Sequence, residues 1–468
     1  MTEQTFSPND ILAKAETLRA TLSTGFRDEI VKSLYGEAEV IARRAVKAAT
    51  EKKYDFDQKI DRLVTSPIVG LPIMLILLTI IIWLTVSGAN VASAAIANFL
   101  FGIGDWGRAL FNSFEFIPWW VTGFIWDGVY LGLAWVISVM LPPMAIFFPA
   151  FTFMEDLGYL PRVAFNLDWM FKKAGAHGKQ SLTMAMGFGC NAAGVIATRV
   201  IDSPRERLIA ILTNNFVPCN GRFPTLIMLA TVFVAAAFPP ALTSFIAAGT
   251  VVSVVLIGVG FTFLMSWILS KTMLKGEASA FTLELPPYRR PNISRILYTS
   301  IIDRTIFVLW RAMQTAAPAG AIIWILANIH TGDTNLARAI SDWLNPFGLL
   351  LGLDGVILLA YIIAIPANEI VVPTMMMVYL GTGMMVNGPG TSAGIFDLLV
   401  NGNGWTMLTA VNLMLFALLH NPCATTIMTI YKETKSYKWA TVSVVITLGT
   451  AFLVTFATAS IARLVGWA

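Results

Sequence analysis

Apolar runs of about twenty residues or more, separated by short polar stretches, recur from residue 67 to the end of the chain. A helix needs about 20 apolar residues to cross a bilayer core. The pattern predicts spans over 67–87, 127–153, 206–236, 241–269, 305–328, 353–380, 404–431 and 439–464. A weaker ninth segment, 181–200, is rich in Gly and Ala. Segments 104–126 and 335–350 mix Trp and Phe with a few charges, which predicts helices at the membrane interface. Before residue 67 the pattern changes. Over 8–53, Leu18, Leu22, Phe26, Ile30, Leu34, Val40, Ile41 and Val46 recur at helical spacing among charged residues. That region predicts a solvated amphipathic hairpin, with a docking surface for a cytoplasmic partner as the alternative.

Composition supports the division. Of 468 residues, 56% are hydrophobic and 13% charged, against about 25% charged in soluble domains. Residues 1–66 hold 22 of the 60 charged side chains. The expectation is an all-α polytopic membrane protein with about eight or nine membrane segments. It divides into a cytoplasmic helical linker at 1–66, a first half at 67–303 and a second half at 304–468. A net charge of +4, with no basic run interleaved with aromatics, argues against a nucleic-acid partner. The polar, acidic first ten residues do not read as a signal peptide. Three cysteines cannot form a paired disulfide framework and read as thiols.

Positive charge sets the expected orientation. Lys47, Lys52, Lys53, Lys59 and Arg62 precede the first span, placing the N-terminus in the cytoplasm. Lys172, Lys173, Lys179, Arg199, Arg205 and Arg207 flank 181–200 on both sides, so that segment is expected to be re-entrant. The same bookkeeping puts both ends of 353–380 outside and predicts a second broken element entering from the opposite face.

Ionisable groups within apolar spans are functional hypotheses by default. Glu155-Asp156 closes the run Phe147–Met154, and Glu369 lies between Pro366 and Pro373. Cys190, Cys219 and Cys423 each follow a Gly or Pro and have an Asn within two residues. Thiol, carboxylate and carbonyl donors together suit a divalent transition metal better than Mg or Ca. Their dispersal suits a site that also releases its ion. Residues 142–225 and 365–430 share an order: a proline-broken apolar stretch, an acidic residue, then Cys in a Gly/Pro and Asn context. This order predicts two inverted gate repeats with broken helices.

Several motifs resemble one family. Glu155-Asp156-Leu157-Gly158-Tyr159-Leu160-Pro161-Arg162, His177-Gly178-Lys179, Gly187-Phe188-Gly189-Cys190-Asn191, Arg205-Glu206-Arg207-Leu208 and the Pro218-Cys219 stretch are similar to the first gate region of ferrous iron transport protein B, the FeoB family. Glu369-Ile370-Val371-Val372 and Pro422-Cys423-Ala424-Thr425 resemble its second gate, and Glu284-Leu285-Pro286-Pro287-Tyr288 its interhelical loop. Lys59-Ile60-Asp61-Arg62 resembles its entry to the first span. The resemblance implies an Fe(II) transporter of a prokaryotic inner membrane, with Cys190, Cys219 and Cys423 along the metal path, Glu155 and Glu369 supplying carboxylates, and Asn191 nearby. His420, two residues before Pro422-Cys423, adds a possible imidazole ligand for Fe, Mn or Zn. The sequence has no G-x-x-x-x-G-K-[ST] loop, so GTP is expected to act only through a separate G protein, docking on 8–53 if at all. No permanently bound cofactor and no enzyme activity are expected, and a homo-oligomer is left open. Two other readings stand beside transport of Fe(II): a gate-type carrier of another solute such as a nucleoside, and a non-transporting membrane scaffold for a G protein.

Overall fold

The computed structural model describes residues 14, 17, 26–45, 56–66, 68–276, 288–331, 334–385 and 392–466. Two polar helices come first, α1 (Phe26–Ala45) and α2 (Phe56–Val64). The remainder of the hairpin expected over 8–53, and residues 284–287 of the interhelical motif, lie outside the described residues. Helix α3 (Gly70–Asn112) then runs unbroken for 43 residues, about 64 Å at 1.5 Å per residue. This corrects the expectation of a span ending near 87 and a separate interfacial helix at 104–126. The intervening Ala-, Ser- and Val-rich stretch is less apolar, but nothing in it breaks a helix. The second part of 104–126 instead begins the next span, at Trp119.

Two sets of elements follow in the same order. The first is a long helix α4 (Trp119–Leu157), an amphipathic helix α5 (Tyr159–Lys173), and a helix pair α6 (Gln180–Gly189) and α7 (Asn191–Ala197). An interrupted span α8 (Pro204–Thr213) and α9 (Phe223–Leu229) and a final long helix α10 (Pro240–Lys271) complete it. The second set is α11 (Ile293–Asn328), the amphipathic α12 (Leu336–Leu350), and the pair α13 (Gly355–Ile363) and α14 (Val371–Leu380). After α15 (Ser392–Val400) come the interrupted span α16 (Met407–Leu419) and α17 (Ala424–Thr434), then α18 (Tyr437–Val465). Both long leading helices contain an eight-residue π-helical stretch, Gly123–Tyr130 and Thr299–Ile306, with Asp127 and Asp303 at the same place in each. A two-residue hairpin, His330–Thr331 with Thr334–Asn335, is the sole strand pairing among the described residues.

Six helices are long and apolar enough to cross a membrane, and the α12/α13 pair, bent by 110°, counts as a seventh if taken as one span. Two shorter apolar helices, Gly70–Thr85 and Asn368–Leu380, add to these. This is an all-α polytopic membrane protein. The leading helices of the two sets cross closely. A Cβ on Gly320 would lie 2.4 Å from the Gly128 carbonyl oxygen, so only glycine permits that approach.

Each helix pair doubles back. Lys179, just before α6, donates from Nζ to Val200 O (2.9 Å) and Asp202 Oδ2 (3.0 Å), just past α7. Asp354 caps α13 by accepting from Ile357 N (2.7 Å) and also accepts from Tyr379 Oη at the end of α14. The interrupted spans connect the two bases. The end of α17 meets the first base, where Arg199 and Arg207 clasp Glu433 at 2.5 and 3.0 Å. The start of α16 meets the second, where Trp405 Nε1 donates to Asp354 Oδ2 (3.1 Å). The two re-entrant pairs therefore enter from opposite ends of the bundle, the inverted arrangement the charge pattern predicts. The correspondence differs from the expected one in a single respect. Glu155 closes the first long helix, as Asn328 closes the second, and the counterpart of Glu369 is the break at Cys190.

At the base, three of the quoted motifs converge. Arg162, 1% exposed, binds Asp61 of α2 through Nε (2.9 Å) and Nη2 (3.2 Å), donates to Gly158 O (2.7 Å), and lies 4.0 Å over the Tyr288 ring. Burial opposes ionisation of Asp61, yet the hydrogen bonds and charge of Arg162 hold its carboxyl below the usual carboxylate range.

Candidate metal path

Four interruptions of the membrane helices carry the cysteines and Glu369. Cys190 is a single extended residue between α6 and α7, Cys219 follows Pro218 between α8 and α9, and Cys423 follows Pro422 between α16 and α17. Cys190 and Cys423 immediately precede α7 and α17, and Cys219 precedes the tight turn Asn220–Arg222 that leads into α9. The fourth break, Ala364–Ala367, leads into a single tight turn, Asn368–Ile370, with Glu369 8% exposed. Proline and extended backbone account for all four. Pro218, Pro366 and Pro422 cannot donate to the helix ladder, and Cys190 itself is extended, with φ −154° and ψ 124°.

The breaks lie together. The turn Asn220–Arg222 after Cys219 packs on the turn Asn368–Ile370, and α7 after Cys190 packs on α17 after Cys423. Gly221 marks the closest approach: a Cβ there would lie 2.2 Å from Glu369 Oε1. The three cysteines are each partly accessible. Among the described residues no three His, Cys, Asp or Glu side chains gather closely enough to hold one metal ion.

Several carbonyls freed by the breaks are claimed within the protein, as apolar surroundings require. Ala424 N donates to Ile365 O (2.8 Å), tying the third and fourth breaks together. Thr315 Oγ1 donates to Pro366 O (3.2 Å). Asn191, with its amide nitrogen turned inward, donates to Val217 O (3.1 Å) and Gly187 O (3.2 Å), leaving its own side-chain oxygen as an acceptor. Arg222, 2% exposed, donates to Leu418 O (2.7 Å), Asn215 O (2.9 Å), His420 O (2.9 Å) and Asn421 O (3.3 Å). One guanidinium thus joins the backbone before Cys219 to the backbone before Cys423.

Comparison with known proteins follows the same duplication. A family model described as Gate, nucleoside recognition, matches residues 137–233 and again 309–437, once in each set of elements. A second, ferrous iron transport protein B C terminus, matches 251–303 between them. Over 430 residues the chain is 29% identical to the Fe(2+) transporter FeoB of Staphylococcus aureus, an alignment spanning 89% of this chain. These matches are consistent with an FeoB membrane region. The FeoB transporter of Campylobacter jejuni is 27% identical over 89% of this chain and 68% of its own length. That of Legionella pneumophila is 32% identical over 57% of this chain and 36% of its own. The chain spans about three fifths of the staphylococcal FeoB, 61% of its length. No solved structure matches.

Two of the expected metal residues have protein partners of their own. Glu155, half exposed, pairs with Arg304 Nη2 (3.1 Å) at the end of α4. His420 is buried, its Nδ1 facing Phe416 O and Ala417 O (both 3.0 Å) and its ring stacked on Phe416 and edge-on to Tyr361. Its Nε2 faces Asn368 Oδ1 at 3.4 Å. His420 thus packs between helices. Arg222 is the residue whose role sequence reasoning missed. A charged side chain two residues before a proline, in a glycine-rich break, is its only local signal.

Proposed function

We propose that this chain carries Fe(II) across a prokaryotic inner membrane, N-terminus in the cytoplasm, along a path lined by Cys190, Cys219, Cys423, Glu369 and Asn191. The observation that supports the proposal is the placement of three thiols and one carboxylate at four helix breaks that pack on one another. The names of the FeoB relatives supply the ion. Fe(II) is borderline in softness and accepts thiolate, carboxylate and amide oxygen together. Carboxylate and thiolate charge offset the cost of bringing a divalent cation into a low-dielectric interior. Ligands spread over four half-helices suit an ion that is handed on, since closed tetrahedral sites hold metals tightly. Rocking of the two re-entrant pairs against the interrupted spans would open one face and then the other. Glu155 and His420 are held by protein partners instead. No resident cofactor is required, and GTP acts through a G protein contacting the polar helices before α3. A nucleoside cargo is not favoured, because the thiols and Glu369 would have no role in binding it.

The test is Fe(II) uptake into proteoliposomes holding this chain, with Mn(II) and Zn(II) as competitors. Uptake abolished by Cys190→Ala, Cys423→Ala or Glu369→Gln, in variants that insert and melt as the parent does, is the expected result. Wild-type flux in all three would overturn the path. If no flux is seen, the assay is repeated with a candidate G protein and GTP, and its continued absence would favour the scaffold reading.

A further inference from the structure

At the end of the bundle remote from α1 and α2, a cavity of about 250 Å³ opens between the last turns of α3, the start of α4, the end of α11 and residues 383–384. Its lining carries two charged side chains, Arg108 and Asp127, which neither the cavity beside Met74 and Phe171 nor that beside Pro143 and Asn220 has. Asp127 sits within an apolar span, in the π-helical stretch of α4, and is ion-paired to Arg108. π-helical turns are frequent at functional sites, and a carboxylate at membrane depth is a functional group by default. Arg108 also reaches Asp105 Oδ1 at 3.5 Å, so two carboxylates share one guanidinium.

The oxygens around Asp127 point to a ligand. Thr122, 4% exposed, lines the cavity with a hydroxyl that has no hydrogen-bond partner. Helical threonines ordinarily satisfy that group on a preceding carbonyl. Asn328 uses its amide nitrogen on Gly383 O (2.7 Å) and Trp324 O (2.9 Å), which leaves Oδ1 as an acceptor. Asn112 adds a further amide. A single water needs only about 10–15 Å³ of such space, so an ion can enter with part of its hydration shell.

We infer that this cavity is a second divalent-cation site, an antechamber at the mouth opposite α1 and α2, in which the ion takes Asp127 and displaces Arg108 onto Asp105. The inference rests on the proposed divalent-cation cargo. It assigns Arg108 as a resident counter-ion that keeps the site occupied by positive charge between ions, so removing it strengthens binding. Asp105, 73% exposed in its side chain, offers the displaced guanidinium a solvated partner.

The experiment uses the full chain in lipid nanodiscs with Cys190, Cys219 and Cys423 replaced by Ala, so that the thiols contribute nothing. Free Mn(II) is titrated by electron paramagnetic resonance. The parent should bind one Mn(II). Asp127→Asn should weaken binding by about tenfold or more and Arg108→Gln should tighten it several-fold, changes that correspond to about 1 kcal/mol or more. Because Asp127→Asn leaves Arg108 short of a partner, the double variant Arg108→Gln/Asp127→Asn, which removes both charges, is measured beside it. If it melts as the parent does, it should bind as weakly as Asp127→Asn. Equal Mn(II) affinity in the parent and in the double variant, or no tightening with Arg108→Gln, overturns the antechamber. Loss of this site with Fe(II) flux intact in the cysteine-containing protein would leave the transport reading standing. Binding here without flux in that protein, even with a G protein and GTP present, would overturn transport alone.

Discussion

Replacing Arg222 by Met tests whether one side chain holds the cysteine-bearing breaks together. The guanidinium makes three hydrogen bonds at 2.9 Å or less and a fourth at 3.3 Å, all to backbone carbonyls. Bonds from a charged donor contribute about 1.5–3 kcal/mol each, a gross of roughly 6–12 kcal/mol for the four. Against that stands a desolvation cost of several kcal/mol for an ion buried without a carboxylate in contact. Met removes both terms, and each orphaned carbonyl then costs about 1–3 kcal/mol unless water reaches it. With the first two terms largely offsetting and half of the carbonyls rehydrated, the two left bare cost about 2–6 kcal/mol. The expected result is a thermal midpoint several degrees lower, with faster labelling of Cys219 and Cys423 by a small thiol reagent and little change at Cys190. Arg222→Lys should lie between, because an ammonium is a point donor and cannot span two backbone segments as a planar fork does. A Met variant that melts and labels as the wild type does would refute the role assigned to Arg222.

Three further outcomes are expected. Gly221→Ala puts a methyl 2.2 Å from the Glu369 carboxylate, so Glu369 must turn away, and Fe(II) uptake should fall as far as in Glu369→Gln while insertion is unchanged. Glu433→Gln removes the carboxylate that clasps Arg199 and Arg207. The ends of α7 and α17 should loosen, and a thiol reagent applied from that side should label Cys423 faster. The lowered pKa of Asp61 has a definite sign. Its pairing with Arg162 contributes fully above the ordinary carboxylate value of about 4 and is lost as pH falls through the lower folded value. Hydrogen exchange of residues 56–66 should therefore rise on strong acidification in the wild type, and be fast at all pH values in Asp61→Asn.

What could be read along the chain was whatever depends on neighbours in sequence. Twenty-residue apolar runs marked most spans, Pro366 and Pro422 marked two of the breaks, and basic residues on both sides of 181–200 marked a segment that turns back. The 43-residue α3 was missed because a weakly apolar stretch near 88–103 reads as an end, whereas packing against α4 sustains it as helix. The π-helical placement of Asp127 and Asp303 leaves no trace in hydropathy. Arg222 finds its acceptors 196–199 residues away at Leu418, His420 and Asn421, and Arg304 finds Glu155 149 residues away. No local pattern encodes such pairings.

The duplication gives these distant contacts a common logic. The first re-entrant pair ends where the other half's interrupted span passes, and Glu433 closes on Arg199 and Arg207 there; the second base is closed within its own half by Trp405 on Asp354 and Tyr379, with Phe233 of the first half stacked on Trp405. The breaks lie between these two closures, and Arg222 and the Ala424–Ile365 bond pin them to one another. The two closures are chemically unlike. One is an ion-pair cluster in which a nearly buried carboxylate meets two cations, so it responds to ionic strength and to an arriving cation. The other is a neutral aromatic and hydroxyl contact on one carboxylate, packed against Phe233, and responds to neither. An approximate two-fold fold with unlike closures has a built-in direction: salt or a cation should loosen the Glu433 end first and leave the Asp354 end shut.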